Sequence, residues 1–260
     1  MLELDIAIKS VRKAGECLRN APDEEMIDAA NIALIETLHE TFPRHTLVAA
    51  EKDTVPNDHY LGEYTNAQRE TEDWWAVVPA QLNSQAVSST YIIYRQPVAS
   101  AIYFPTEDKL YTAELAGGAE LTTKGLKRKL LVSENELSKS VLLVSPGTKY
   151  RGLCRWLDRL GIRAIQKGDL LENLLLVAEG TADIGFDNGP RILKREIIAG
   201  CFILSEAQGN VTDRHDQRVD YNYSELVHTS GLVYSNGKTH PEALPIIKKC
   251  TRLKPDHQPV

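Results

Sequence analysis

Trp74-Trp75-Ala76-Val77-Val78-Pro79-Ala80-Gln81-Leu82-Asn83-Ser84 decides how this chain is read. Aromatic and β-branched residues crowd its first half and favour extended backbone. Pro79 and the polar residues after it end the run. The stretch has the outline of a strand running into a tight turn at the mouth of an active site.

Working outward, the segments Val87–Tyr94, Val98–Phe104 and Lys109–Glu114 share that strand composition and are separated by turn residues. Connections this short require antiparallel neighbours. Upstream, Leu4, Ile8, Val11, Gly15 and Leu18 fall on one face of a helix over 2–19. Asn20-Ala21-Pro22-Asp23 breaks it, and Asp23 is a plausible N-cap for a second helix that stops before Pro43. Thr46–Ala49 reads as a short strand and Asp53–Thr71 as a polar surface loop. Downstream, strands and helices alternate. Val141–Ser145, Arg163–Gln166 and Thr181–Phe186 read as strands. Tyr150–Leu160, Asp169–Glu179 (closed by Gly180) and Ile192–Gln208 (ending at Gly209) read as helices. A meander followed by alternation predicts an α+β fold with layered sheets and helices.

The 260 residues are 42% hydrophobic and 25% charged, enough for one large domain or two packed lobes. The net charge of -6 argues against a broad nucleic-acid-binding surface. Lys124–Lys129 is a local basic cluster, read as a solvated hairpin between strands. Cys17, Cys154, Cys201 and Cys250 are far apart and lack zinc-ligand spacing, so free thiols in a reducing compartment are expected. The acidic start, with Glu3 and Asp5, is unlike a secretory leader, and no apolar run reaches membrane-spanning length. A cytoplasmic location is expected. The histidines, His39 and His45 among them, show no paired spacing for a metal. Cys201 reads as core rather than nucleophile.

Five motifs in order carry a family resemblance: Arg12-Lys13-Ala14-Gly15, Phe42-Pro43-Arg44-His45-Thr46, Leu110–Ala113 with Gly117-Gly118-Ala119, Ala178–Asp183, and Ser205–Asp213. Together with the Trp75–Ser84 segment they resemble the inositol monophosphatase superfamily, in particular its bacterial, extragenic-suppressor-like branch. The resemblance implies a layered α/β/α/β/α sandwich of the inositol monophosphatase and fructose-1,6-bisphosphatase type. One domain over 1–260 is expected, with lobes at about 1–135 and 136–260. It also implies phosphate monoester hydrolysis assisted by Mg²⁺, homodimers and, in one bacterial branch, a protein partner that is a transcription factor.

The family's metal-holding motifs are changed here. Its W-x-x-D-P-x-D-G-T-T falls on Trp75 to Ser84, so the two aspartates become Val78 and Gln81, and the phosphate-holding turn becomes Leu82-Asn83-Ser84. Ala80 stands at a backbone-carbonyl ligand. The G-E-E motif falls on Ala49-Ala50-Glu51, so Ala50 replaces the main glutamate and Glu51 remains. The aspartate of W-D falls on Glu196. On the substrate side, the G-S/T-A turn falls on Gly168-Asp169-Leu170. There Asp169 puts a fixed anion at a helix N-terminus that would otherwise favour phosphate. A glutamate that contacts a sugar hydroxyl corresponds to Asp187, and the segment after the metal turn is about five residues shorter than in the family.

Mg²⁺ needs hard oxygen ligands in near-octahedral array. With three of four side-chain ligands lost, a two-metal site cannot be assembled, and losing even one oxyanion-stabilising group typically costs about 10²–10³-fold in rate. The expectation is therefore no cofactor and a non-catalytic binding or assembly protein, a homodimer with a possible protein partner and no membrane or direct nucleic-acid contact. A phosphate-ester or nucleotide sensor without turnover is the next reading. A sugar or inositol phosphatase with a rebuilt site, metal-independent or holding one metal on Glu51, Glu196 and Asp187, is the third.

Overall fold

The computed structural model describes residues 2–19, 24–43, 45–48, 73–78, 86–144, 161–187, 189, 192–221 and 227–252. The expected Asp23 cap, the Asp53–Thr71 loop and the Tyr150–Leu160 helix lie outside them. The chain forms two compact units. One comprises Met1–Lys129, Lys194–Glu206 and Tyr221–Leu226, and the other Leu130–Leu193, Ala207–Asp220 and Val227–Val260. Lobes at 1–135 and 136–260 would cut the chain once. The contacts instead return the 194–206 helix to the first unit, because its apolar side packs on that unit's sheet.

In the first unit, α1 (Leu2–Cys17) and α2 (Glu24–Thr41) pack on each other. The seven strands β1 (Thr46–Val48), β2 (Asp73–Val78), β3 (Val87–Ile93), β4 (Gln96–Phe104), β5 (Lys109–Glu114), β6 (Gly118–Thr123) and β7 (Leu126–Leu130) form one sheet in sequence order. β1 and β2 are parallel, and β2 through β6 form the antiparallel meander that the short connections predict. The basic cluster differs from expectation: Lys124 and Gly125 make the turn, while Leu126–Leu130 is itself a strand.

The sheet is covered on both faces. Trp75, Val77, Tyr91, Ala101 and Tyr103 join the apolar faces of α1 and α2. On the other face, Trp74, Ala76 and Ile92 meet Ile198 of the helix Lys194–Glu206, here α4. α4 is shorter than its sequence pattern. It ends at Glu206, and the left-handed residue after it is Gln208, φ +71°, rather than Gly209. The Glu206 Oε2 accepts from the Gly118 amide at 3.1 Å, tying the end of α4 to the start of β6. Two of the recognised motifs meet in that bond.

In the second unit, β8 (Val141–Val144), β9 (Arg163–Gln166), β10 (Ile184–Asp187), β12 (Asn210–Thr212) and β14 (Leu232–Ser235) form a five-stranded mixed sheet in the order β12-β14-β10-β8-β9. β11 (Ile192–Leu193) and β13 (Val227–His228) form a separate pair. α3 (Leu170–Ala178) precedes β10, and α5 (His240–Arg252) follows β14. The strands after Gly209 and α5 were not anticipated. Asp183, 1% exposed, organises this unit. Its carboxylate accepts from the Ser133 hydroxyl, from Asn135 Nδ2 at 3.0 Å and from the Val141 amide at 2.6 Å. Its backbone carbonyl accepts from the Asn236 amide at 2.8 Å. A buried carboxylate is tolerated because its lone pairs are filled this way.

The Arg12-Lys13-Ala14-Gly15 motif has a packing explanation. A Cβ on Gly15 would lie 2.4 Å from the Tyr103 ring. That ring is fully buried, its hydroxyl donates to Asp108 Oδ1 at 2.9 Å, and the Arg12 guanidinium sits 5.7 Å from its centroid. The ring therefore has little room to yield. Gly15→Ala is expected to destabilise the protein by roughly 1–3 kcal/mol, read as a lower urea midpoint with an unchanged slope.

Candidate functional site

The candidate positions fall into both units. In the first, strict alternation along β2 places Val78 on the same sheet face as Trp74 and Ala76, the face that packs α4. Val78 is the last residue of the strand, paired with Ser88 of β3, and is half-buried. Trp74 to Val77 are buried, and burial relaxes at Val78. Ala50, Glu51, Ala80, Gln81, Leu82, Asn83 and Ser84 lie outside the described residues.

Glu196 stands in the first turn of α4. Its side chain is 47% exposed, and its Oε1 lies 3.9 Å from Nη2 of Arg195, whose side chain is only 8% exposed. Lys194 at the helix start is also buried, at 6%. Arg195 thus stands beside the carboxylate, and Lys194 precedes both in the chain. Long basic side chains can lie along apolar surface with their charged ends near water, which reconciles burial with charge. Cations at a helix N-terminus oppose its dipole, and the adjacent glutamate offsets part of that.

In the second unit, Gly168 adopts φ +60° and leads into Asp169, the N-cap of α3. The Asp169 Oδ1 accepts from the Glu172 amide at 2.8 Å. A Cβ on Gly168 would meet the folded-back Glu172 side chain, with Oε2 at 2.5 Å. Two carboxylates thus crowd the end of a helix where its dipole would welcome an anion. Asp187 ends β10, and its Oδ1 accepts from the Gly189 amide at 2.6 Å, so that oxygen closes a local turn.

Other titratable groups serve packing. His45 stacks on Phe42 at 4.6 Å and on Tyr91 at 5.3 Å between ring centroids, and burial holds its pKa below the usual histidine value. Burial pushes the Cys201 thiol up to about 12, so it is a core group rather than a thiolate nucleophile. Cys17 and Cys201 are free thiols; Cys154 lies outside the described residues. Among the described residues, no three His, Cys, Asp or Glu side chains gather as a metal group, and no helix is long and apolar enough to cross a membrane.

Comparison with known proteins follows this geometry. The model of the inositol monophosphatase family matches residues 80–252. The chain belongs to that family. It is 25% identical to inositol monophosphatase 2 of Solanum lycopersicum over 250 residues, covering 84% of this chain and 89% of that protein. It is 22% identical to the Nus factor SuhB of Salmonella typhimurium, covering 81% and 84%. Among solved structures, an inositol monophosphatase from Anabaena (Nostoc) sp. PCC 7120 has a TM-score of 0.73 at 24% identity and covers 95% of each chain. An extragenic suppressor protein suhB from Bartonella henselae has a TM-score of 0.70 at 20% identity, covering 94% and 97%. The fold is the inositol monophosphatase fold, as the motif order predicted. The family match begins at Ala80, so Ala50, Glu51 and Val78 precede it.

One buried histidine escaped the sequence reading. His240, 3% exposed, bonds through Nε2 to the Thr212 hydroxyl and through Nδ1 to the Ser235 hydroxyl, both at 2.9 Å. Its only sequence signal is its place at the start of the amphipathic α5. Burial lowers its pKa. The unfolded chain therefore binds the proton more readily, so His240 costs no stability above about pH 6.5 and stability falls as pH drops from there through the lower folded value. The thermal midpoint is expected to fall between pH 7.5 and 5.5, and His240→Gln to lower it at pH 7.5 while flattening that dependence.

Proposed function

We propose that this family member has lost metal-dependent hydrolysis and acts as a binding or assembly protein. The carrying observation is the chemistry left around β2 and α4. Val78 offers no oxygen at the position of a ligand aspartate, and Ala50 and Gln81 offer no carboxylate at two others. The remaining Glu196 already has a cation, Arg195, beside it, and Lys194 precedes both. Mg²⁺ is held through carboxylate oxygens, and a fixed cation beside a carboxylate competes for it, so Ala50, Val78, Gln81 and an Arg195-paired Glu196 do not fit it. In relatives that hold it, the metal supplies an activated water and neutralises phosphoryl charge. The carboxylates at the start of α3 also weigh against the reading as an anion sensor. A homodimer, as the family resemblance implies, and a cytoplasmic location are part of this proposal.

The test is a Mg²⁺ titration by calorimetry with a phosphomonoesterase assay on the same full-length sample. No saturable binding at millimolar Mg²⁺ and no turnover above background are expected. One-to-one binding that disappears in Glu196→Gln would overturn the proposal in favour of a rebuilt single-metal site.

A companion prediction concerns the half-buried position. Val78→Asp alone should destabilise the protein by roughly 1–3 kcal/mol at pH 7, less at pH 4 where the carboxyl takes a proton. Combining Ala50→Glu, Val78→Asp, Gln81→Asp and Glu196→Asp should make the thermal midpoint rise with added Mg²⁺, since an ion bound only by the folded state stabilises it. A Val78→Asp protein as stable as wild type at both pH values would show that position 78 does not belong to the old metal site.

A further inference from the structure

The basic segment left over from the sequence reading has a distinctive place in the fold. β7 is the last strand of the seven-stranded sheet among the described residues, so its outer edge offers backbone groups to a further strand. All six residues Lys124 to Lys129 are exposed. Successive side chains of a strand point to opposite faces, so both faces of β7 are open along with its edge. Leu126, 79% exposed, is the most exposed of the large apolar residues described. Lys127 lies 3.6 Å from Glu120 Oε2 across exposed surface, and such a pair holds little energy.

Lysine on an edge strand is often a guard against indiscriminate sheet pairing. Here Lys124, Lys127, Arg128 and Lys129 concentrate four cations within six residues of a chain whose net charge is -6. Charges of that density repel another basic edge and attract an acidic one. A second copy of this chain would bring β7 against β7, cation against cation. The overall negative charge also disfavours a nucleic-acid surface beyond this strand.

We infer that β7 is a docking edge for an extended acidic segment of a partner protein, which adds as a strand beside it. Main-chain bonds to the edge would supply binding, Leu126 an apolar contact, and the lysines the selection for Asp and Glu. This goes beyond the loss of metal chemistry, because an active phosphatase could carry the same edge. A failed Mg²⁺ experiment therefore leaves it standing, and the reverse is equally true.

The experiment uses the full-length protein and a fluorescein-labelled peptide, Glu-Val-Asp-Ile-Glu-Val-Asp. Fluorescence anisotropy should show saturable binding that weakens about tenfold or more in 0.5 M NaCl, as charge-steered contacts do. K127E/R128E/K129E should lose that binding while keeping a thermal midpoint near wild type, since these side chains are exposed. The same peptide with every backbone amide N-methylated keeps its side-chain charge but can donate to a strand from neither edge, and it should bind at least tenfold more weakly. Equal binding of the methylated peptide, or unchanged binding by a folded triple variant, would overturn the inference. So would preferential binding of a dT10 oligonucleotide, or a dimer in sedimentation that the triple variant dissociates, because each assigns the edge another occupant.

Discussion

Burial of β2 on both faces is the constraint from which the rest of the first unit follows. Trp75 and Val77 face the α1 and α2 cluster, and Trp74 and Ala76 face Ile198 of α4. A strand sandwiched this way cannot alternate polar and apolar residues, which is why its sequence is a continuous apolar run. It also limits where a carboxylate can sit. Inside the run, a charge would lose its hydration with nothing in return. At the end of the run, Val78 is half-buried, so an aspartate there is tolerable when a cation stands beside it and costly when none does. Holding a cation and holding an aspartate at 78 are thus linked in physical terms. Where no cation stands beside position 78, an apolar side chain is the stable choice.

The same reasoning applies to the first turn of α4. A metal site gathers negative charge that only the ion makes bearable. In this chain the turn carries Lys194, Arg195 and Glu196, with the two cations buried and the carboxylate half in water. With two cations to one anion the turn is net positive, which does not favour a further cation. The start of α3 shows the complementary change, with Asp169 satisfying the Glu172 amide from within the chain. In both places an internal partner occupies the role that an external ligand would fill.

Much of the fold was legible because its signals are local. The meander from β2 to β5 was readable from composition and short connections, and α3 from the Asp169 cap and Gly180. The strands beyond were harder. β7 contains Lys127, Arg128 and Lys129, and its exposure on both faces erases the alternation that marks a half-buried strand. α5 carries Pro245 inside it, a residue that argues against helix in any window. The division into units was illegible for a different reason. α4 follows the second unit's strands in sequence but packs on the first unit's sheet, and only tertiary contact can reveal that. At the site, residue identity was readable and burial was not. Nothing local distinguishes the half-buried Val78 from the buried Val77, or the buried Arg195 from an exposed one.

The motifs that reveal the family are for the most part the parts that hold it together rather than the parts that react. Gly15 admits the Tyr103 ring, Glu206 grips the Gly118 amide, and Asp183 collects three donors. Each is buried or partly buried and bonded, so replacing it leaves an orphaned group or a collision whatever the protein does. Residues whose only task is to hold an ion carry no such obligation. Positions 50, 78 and 81 can therefore depart from the family pattern, as Ala50, Val78 and Gln81 do, while the packing motifs stay. That difference in constraint explains how the chain can keep a family's fold over nearly its whole length with the metal-holding positions rewritten, and why those positions, more than the fold, carry the information about function.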